Sequence, residues 1–475
     1  MVLALIIIYV VILLWAISSI IMFGNRPARS IAWLFVSLFI PVFGILLYIL
    51  FGINRKRFKF FSLNNITKRR FYDFQNKKNT VNGFIHEFKD EKLKKIGILM
   101  QNSSGFPALD GNAIDLLKNG KSTFDALLQA INNARAFIHL QYYIIDKGEI
   151  FNELTAILEE KLKNGVEVRI IYDAFGSYGI KSQTITRLKD MGAKIYPILP
   201  INIKNILSTL NYRNHRKLAI IDGKVAFTGG VNITDKYINE EKSELGIWHD
   251  LHLKIKGPIV DHLHRIFIKD FYFASNTLLL KNKTYLPEQE RMGTNLLQVI
   301  SGGPDLDFSS ILHQYVMMIH SAENSIKIQN PYFIPNKKLT EALIMSALRG
   351  VSVQIMVPEH IDSKIAKYSM YSNFETLLKS GVTICVVKDK FFHSKLIIVD
   401  EKIASVGSGN FDYRSFEHNY ELNLMLYNED KSKELANDFD TLCKEARSLH
   451  YETFKNRPIK EKFLQGTARI FSPLL

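Results

Sequence analysis

The chain runs to 475 residues, long enough to bury more than one hydrophobic core. Lys and Arg number 61 against 46 Asp and Glu, a balance of +15 that favours anionic partners, nucleic acid or acidic lipid headgroups. Cys385 and Cys443 are the only cysteines, which excludes a disulfide framework and a four-ligand cysteine zinc site and fits a reducing compartment.

From Val2 to Phe23 the only polar side chains are Tyr9, Ser18 and Ser19. About 22 residues at about 1.5 Å each cross a hydrocarbon core of about 30 Å, so a membrane span is expected. A second apolar stretch, residues 31–53, has Trp33 and Tyr48 near its ends, where amphipathic rings favour the interface. Residues 1–57 therefore read as a transmembrane helical hairpin. The short loop carries Arg26 and Arg29, whereas Arg55, Lys56, Arg57, Lys59, Lys68, Arg69 and Arg70 follow the second stretch, so the body is expected on the cytoplasmic side of a multi-pass protein. A cleaved signal peptide fits poorly, because a basic n-region and a small-residue cleavage site are lacking. A polar, Lys- and Asn-rich connector is expected over 58–102.

Beyond it, hydrophobic runs alternate with segments of helical period, the pattern of an α/β domain, and the pattern repeats. Residues 137–143 (FIHLQYY) are echoed by 326–332 (IKIQNPY), residues 164–171 (NGVEVRII) by 349–356 (RGVSVQIM), and Gly192 by Gly381. Offsets near 185 to 189 are far too long for a solenoid and imply duplication of a whole domain. Two α/β halves are expected, 103–290 and 291–475.

Each half carries one copy of H-x-K-x4-D. His215-Arg216-Lys217-Leu218-Ala219-Ile220-Ile221-Asp222 lies 178 positions before His393-Ser394-Lys395-Leu396-Ile397-Ile398-Val399-Asp400. Gly229 and Asn232 follow the first His at 14 and 17 positions, and Gly407 and Asn410 follow the second at the same distances. Composition alone would produce the motif about 0.16 times, so two copies with matching Gly and Asn are not accidental. Residues two apart on a strand face one way, so each His and Lys should point into a common space. Lys217 and Lys395 would then neutralise a phosphodiester while Asn232 and Asn410 donate to its non-bridging oxygens. One neutral imidazole would attack phosphorus and the other, protonated, would serve the departing alcohol, a scheme that asks for no metal and no other cofactor. Asp250 and Glu421 are candidates to hold the second nitrogen of each ring, and each reads equally well as an ordinary strand-end carboxylate. Asp222-Gly223 is a hairpin-turn signature, so a structural role is expected for Asp222 and Asp400 ahead of direct chemistry. The small residues Gly229-Gly230 and Gly407-Ser408-Gly409 serve either close ligand approach or tight sheet packing.

The paired motifs with their downstream Gly and Asn resemble the HKD motifs of the phospholipase D superfamily. The N-terminal double span, the Asn25-Arg26-Pro27 loop, residues 211–217 and 301–305, and Pro331-Tyr332-Phe333-Ile334-Pro335 look like those of bacterial cardiolipin synthases over nearly the whole chain. That resemblance implies two phospholipase D-like α/β sandwich halves behind the membrane hairpin. It implies phosphatidylglycerol as substrate, cardiolipin and glycerol as products, and a phosphohistidine intermediate at the cell membrane. His215 would be nucleophile and His393 general acid, with Lys217 and Lys395 on phosphate and Asp222 and Asp400 completing the catalytic motifs. Many relatives have Ser where Gly230 stands. The segment 201–210, partly apolar, reads either as an interfacial contact or as a helix packed on the core. Other readings are a water-using phospholipase D, a phosphatidylserine synthase or a membrane-tethered nuclease. The nuclease reading lacks an aromatic, basic stacking segment, so no nucleic-acid partner is expected.

Overall fold

The computed structural model describes residues 2–23, 27–40, 42–52, 81–180, 182–200, 211–239, 245, 248–281, 283–388 and 390–475. Arg26, the basic residues from Arg55 to Arg70 and the segment 201–210 fall outside that set.

At the N-terminus Val2–Phe23 is one continuous helix, of which Val2–Met22 is apolar and long enough to cross a membrane. The second half of the expected hairpin is not a single span. A helix Pro27–Phe39 gives way to the short helix Phe43–Leu47 and a π-helical turn Tyr48–Gly52. The sequence has a proline between the two pieces, a residue that donates no N–H and disfavours the helical conformation of the residue before it. The pieces still fold back on the first helix, where Ala16, Ile20, Ile45 and Tyr48 pack together and the Ser19 and Tyr48 hydroxyls hydrogen-bond at 2.8 Å.

The two halves share one 15-stranded mixed sheet. From the outer edge of the first half its strands are Lys194–Ile198, Glu167–Asp173, Phe137–Tyr142, Leu218–Ile221, Val225–Gly229, His252–Lys256 and Leu109–Leu117. The second half repeats that order: Thr383–Val387, Ser352–Pro358, Ser325–Gln329, Leu396–Val399, Ile403–Gly407, Glu421–Leu426 and Asn295–Gly302, with Arg447–Ser448 added at its edge. In each half the outer three strands are parallel, and the motif strand then runs antiparallel beside the glutamine strand, Gln141 opposite Leu218 and Gln329 opposite Leu396. The duplication is thus borne out strand for strand. The halves meet where Leu109–Leu117 pairs antiparallel with Asn295–Gly302 through an irregular register.

Burial explains why the halves form one body. Leu253 and Ile255 of the first half share a core with Leu396, Ile398, Leu422 and Leu424 of the second, under the long helix Ile259–Ser275. Each such fully buried aliphatic side chain contributes about 1.5–3 kcal/mol. The expected connector ends in structure, because Glu91–Ser104 is a helix started by Asp90, whose carboxylate accepts from the Leu93 amide. Its apolar face, Ile96 and Met100, packs on Ile300, Ile311 and Tyr315 of the second half. The buried Arg216 guanidinium crosses between halves, donating to Asp270 at 2.5 Å, to the Ser301 hydroxyl and to the carbonyls of Gly302 and Glu421. Cys385 and Cys443, too few for a disulfide framework and read as fitting a reducing compartment, are paired as a single disulfide with Cα atoms 6.1 Å apart, because the helix Glu429–Glu445 packs over the strand Thr383–Val387.

Candidate active site

Each motif histidine lies just before its strand, where the backbone crosses to the other half. The His215 amide donates to the Tyr420 carbonyl at 2.9 Å, and the Tyr420 amide returns a bond to the Arg213 carbonyl at 2.9 Å. In the pseudo-symmetric place, Trp248–His249 pairs in parallel with Phe391–Phe392, and the His393 amide donates to the His249 carbonyl at 2.7 Å. These crossings set each imidazole beside the next residue of the opposite half, Glu421 after Tyr420 and Asp250 after His249.

The carboxylates are therefore exchanged between halves. His215 Nδ1 lies 3.0 Å from Glu421 Oε2 and 3.1 Å from the Ser408 carbonyl, and His393 Nδ1 lies 2.7 Å from Asp250 Oδ2. Both carboxylates are fully buried and held from behind. Glu421 accepts from the hydroxyls of Ser408 at 2.5 Å and Ser415 at 2.9 Å and from Asn419 at 3.3 Å. Asp250 accepts from the Leu251 amide at 2.8 Å and the Tyr237 hydroxyl at 3.4 Å. The Gly230/Ser408 difference is explained here, because a Cβ at Gly230 would come within 2.1 Å of the Asp250 carboxylate, so Tyr237 takes up the hydroxyl role that Ser408 plays in the other half.

Burial would raise both carboxyls, but the bond and charge of His393, with Lys395, hold Asp250 below the ordinary carboxylate range, and His215 and Lys217 do the same for Glu421. Burial, opposed by Glu421, lowers His215, while burial and then Lys395 lower His393 to about 3. Each ring is thus neutral beside an ionised acid, which makes Nδ1 the donor and leaves Nε2 with a free lone pair. Lys217 donates to the His215 carbonyl at 2.7 Å and Lys395 to that of His393, so each ammonium lies beside the backbone of its own motif histidine. Burial brings Lys217 to about 7 and Lys395 to about 8.

Both imidazoles open on one cavity of about 290 Å³, lined also by Tyr143, Arg213, Asn232, Trp248, Tyr332, Asn410 and Arg414. Asn232 is fixed by the Ile144 amide at 3.1 Å, whereas the buried Asn410 Oδ1 has no partner. A cavity with two nucleophilic nitrogens, two cations behind them and two side-chain amides can take an anionic ester and transfer its central group in two displacements. Among the described residues no cluster of His, Cys, Asp and Glu could hold a metal ion.

Asp222 and Asp400 do not line the cavity. They sit at the far ends of their strands and accept the backbone amides of Arg135, Ala136 and Phe137, and of Glu323, Asn324 and Ser325, at 2.7–2.9 Å. A carboxylate spent on three amides at the opposite end of the strand has the geometry of the structural role expected from the hairpin turn, although the resemblance counts both among the catalytic motifs. Asp222→Ala is expected to lower unfolding free energy by about 1–3 kcal/mol, read from the denaturant midpoint, while the folded fraction keeps kcat.

Residues 127–271 and 315–443 match the family model for the PLD-like domain of cardiolipin synthase, and residues 11–52 match the phospholipase D-nuclease N-terminal model. The chain is 37% identical to a cardiolipin synthase of Geobacillus sp. (strain WCH70), across 95% of this chain and 90% of that one. It is 36% identical to a cardiolipin synthase of Clostridium perfringens (strain SM101 / Type A), across 95% of each. The chain belongs to the cardiolipin synthases of the phospholipase D superfamily. As a member of the cardiolipin synthases it is a phosphatidyltransferase, and its N-terminal apolar helix accords with membrane association. Phosphatidylserine synthase of Haemophilus influenzae Rd KW20 shares the fold, with a TM-score of 0.60 at 17% identity over 81% of this chain and all of that one.

Sequence reasoning about this cardiolipin synthase missed Tyr237, Ser408 and Ser415 as supports of the carboxylates. In the sequence Ser408 reads only as a small residue for close approach or packing, and no spacing rule singles out Tyr237 or Ser415, because they reach the site through the fold.

Proposed function

We propose that this enzyme transfers a phosphatidyl group from one phosphatidylglycerol to another, releasing glycerol. The observation that carries the reading is the pair of imidazoles facing one cavity, each oriented by an acid from the opposite half. His215 Nε2 attacks phosphorus as the bond to the glycerol oxygen breaks, and His393 gives that oxygen a proton. The second phosphatidylglycerol then gives a hydroxyl proton to His393, its oxygen attacks the phosphohistidine, and His215 leaves with its lone pair. Lys217, Lys395, Asn232 and Asn410 hold the phosphate oxygens throughout. Burial keeps His393 neutral on its own, and the negative phosphodiester of a bound substrate supplies the field that lets it carry a proton. The catalytic body works on the cytoplasmic face.

The purified full chain in phosphatidylglycerol vesicles, with chelator present, is expected to yield cardiolipin and glycerol in equal amounts. Phosphatidic acid as the main product would replace the lipid acceptor by water and overturn the reading. Because both lysines lose their protons as pH rises, at about 7 for Lys217 and about 8 for Lys395, kcat/KM should fall through that window. A flat profile from pH about 6 to 9 would remove the lysines from phosphate binding.

A further inference from the structure

The last helix, Ile459–Ile470, continued by the turn Ser472–Leu474, reverses the usual arrangement of an amphipathic helix. Its inner face holds the buried Gln465 and Ala468. On the opposite face stand Ile459, Phe463, Ile470 and Leu474, exposed by 86%, 72%, 75% and 43%. Their spacing of four, seven and four residues makes one stripe at about 100° per residue. Lys462 and Arg469 flank the stripe on one side and Lys460 on the other, all exposed.

This stripe is tied to the active-site mouth. Leu475, the next residue, lines the cavity and its carbonyl accepts the Arg414 amide at 3.1 Å. The helix packs on Lys364–Tyr371, with the Ser472 and Ser369 hydroxyls 2.6 Å apart, and Ser363 and Ala366 at the start of that helix also line the cavity. Ile365 beside them is 52% exposed. Across the mouth, the exposed Phe175 lies 5.6 Å from the guanidinium of Arg213, another lining residue.

We propose that the outer face of this C-terminal helix docks on an anionic bilayer surface and holds the cavity mouth against it. Apolar side chains enter the acyl boundary while the flanking Lys and Arg snorkel to anionic headgroups. A protein partner would need a complementary surface, whereas a stripe bordered by cations on both sides is what a lipid interface matches. The N-terminal apolar helix provides attachment; the C-terminal face provides orientation. Only its consequence for turnover rests on the function proposed above.

The test places a photo-crosslinking phenylalanine analogue at Phe463 or Ile470 of the full chain, reconstituted in vesicles of equal parts phosphatidylglycerol and phosphatidylcholine. Leu348, 72% exposed at the end of the helix Lys337–Leu348, is the control site. Lipid adducts are expected at 463 and 470 and not at 348. Adducts no more frequent than at 348, or adducts only to a second copy of the chain, overturn the proposal. The Phe463→Glu, Ile470→Glu double variant should lose about tenfold in turnover of vesicle-borne phosphatidylglycerol yet stay within about twofold on monomeric short-chain phosphatidylglycerol. Equal loss on both substrates overturns the orienting role. If neither form is turned over by the parent enzyme, the function reading fails, and the adducts still decide the docking.

Discussion

His215→Ala and His393→Ala should each cut cardiolipin formation by about 10⁴-fold or more, since in the proposed scheme one removes the nucleophile and the other the proton carrier of both displacements. The two losses differ in kind. With a phosphodiester whose leaving group departs without a proton, such as a nitrophenyl ester, His393→Ala should regain the first step and accumulate a phosphohistidine. His215→Ala should regain nothing. Rescue of His215→Ala in place of His393→Ala would exchange the two roles, and substantial activity of either variant on phosphatidylglycerol would end the two-histidine scheme.

Asp250→Asn and Glu421→Gln should each lower kcat by roughly 10²- to 10⁴-fold, because an amide cannot hold the imidazole in the Nδ1–H form as an ionised carboxylate does. Here the exchange between halves makes a sharp distinction. Asp250 serves His393 and Glu421 serves His215, although each stands in the other half of the chain. The nitrophenyl substrate should therefore rescue the first step of Asp250→Asn, as it rescues that of His393→Ala, and leave Glu421→Gln as impaired as it is on phosphatidylglycerol. The pre-steady-state burst of nitrophenol from the four variants checks this, and the opposite pattern would mean that each acid acts within its own half. Glu421→Gln should also be the less stable of the two, since it disturbs acceptance from Ser408, Ser415 and Asn419 around a fully buried group.

The stabilising network around these acids accounts for their reach. A buried carboxylate with three or four donors keeps its charge at neutral pH, and that charge fixes a ring that would otherwise rotate or change tautomer. Ser408 bonds Glu421 and Tyr237 bonds Asp250, so two different residues meet the same physical need in the two halves. The departure at Gly230 is thus compensated in the support of the carboxylate.

Much of this enzyme was legible before any coordinates. Apolar length along residues 2–23, a repeat near 185 positions and two copies of H-x-K-x4-D are properties of order along the chain, and order is what a sequence records directly. From these came the α/β duplication and the histidine pair, and the Asp222-Gly223 step gave the turn role of Asp222. The exchange of Asp250 and Glu421 was not legible, because it depends on backbone bonds from His215 to Tyr420 and from His393 to His249, across 205 and 144 positions respectively. The same holds for Tyr237, for the joined sheet, and for the outward stripe of the last helix, whose apolar pattern alone reads as a core-facing side. Pairing, burial and the direction a face takes are decided by contacts between distant segments, and only the folded chain brings those segments together.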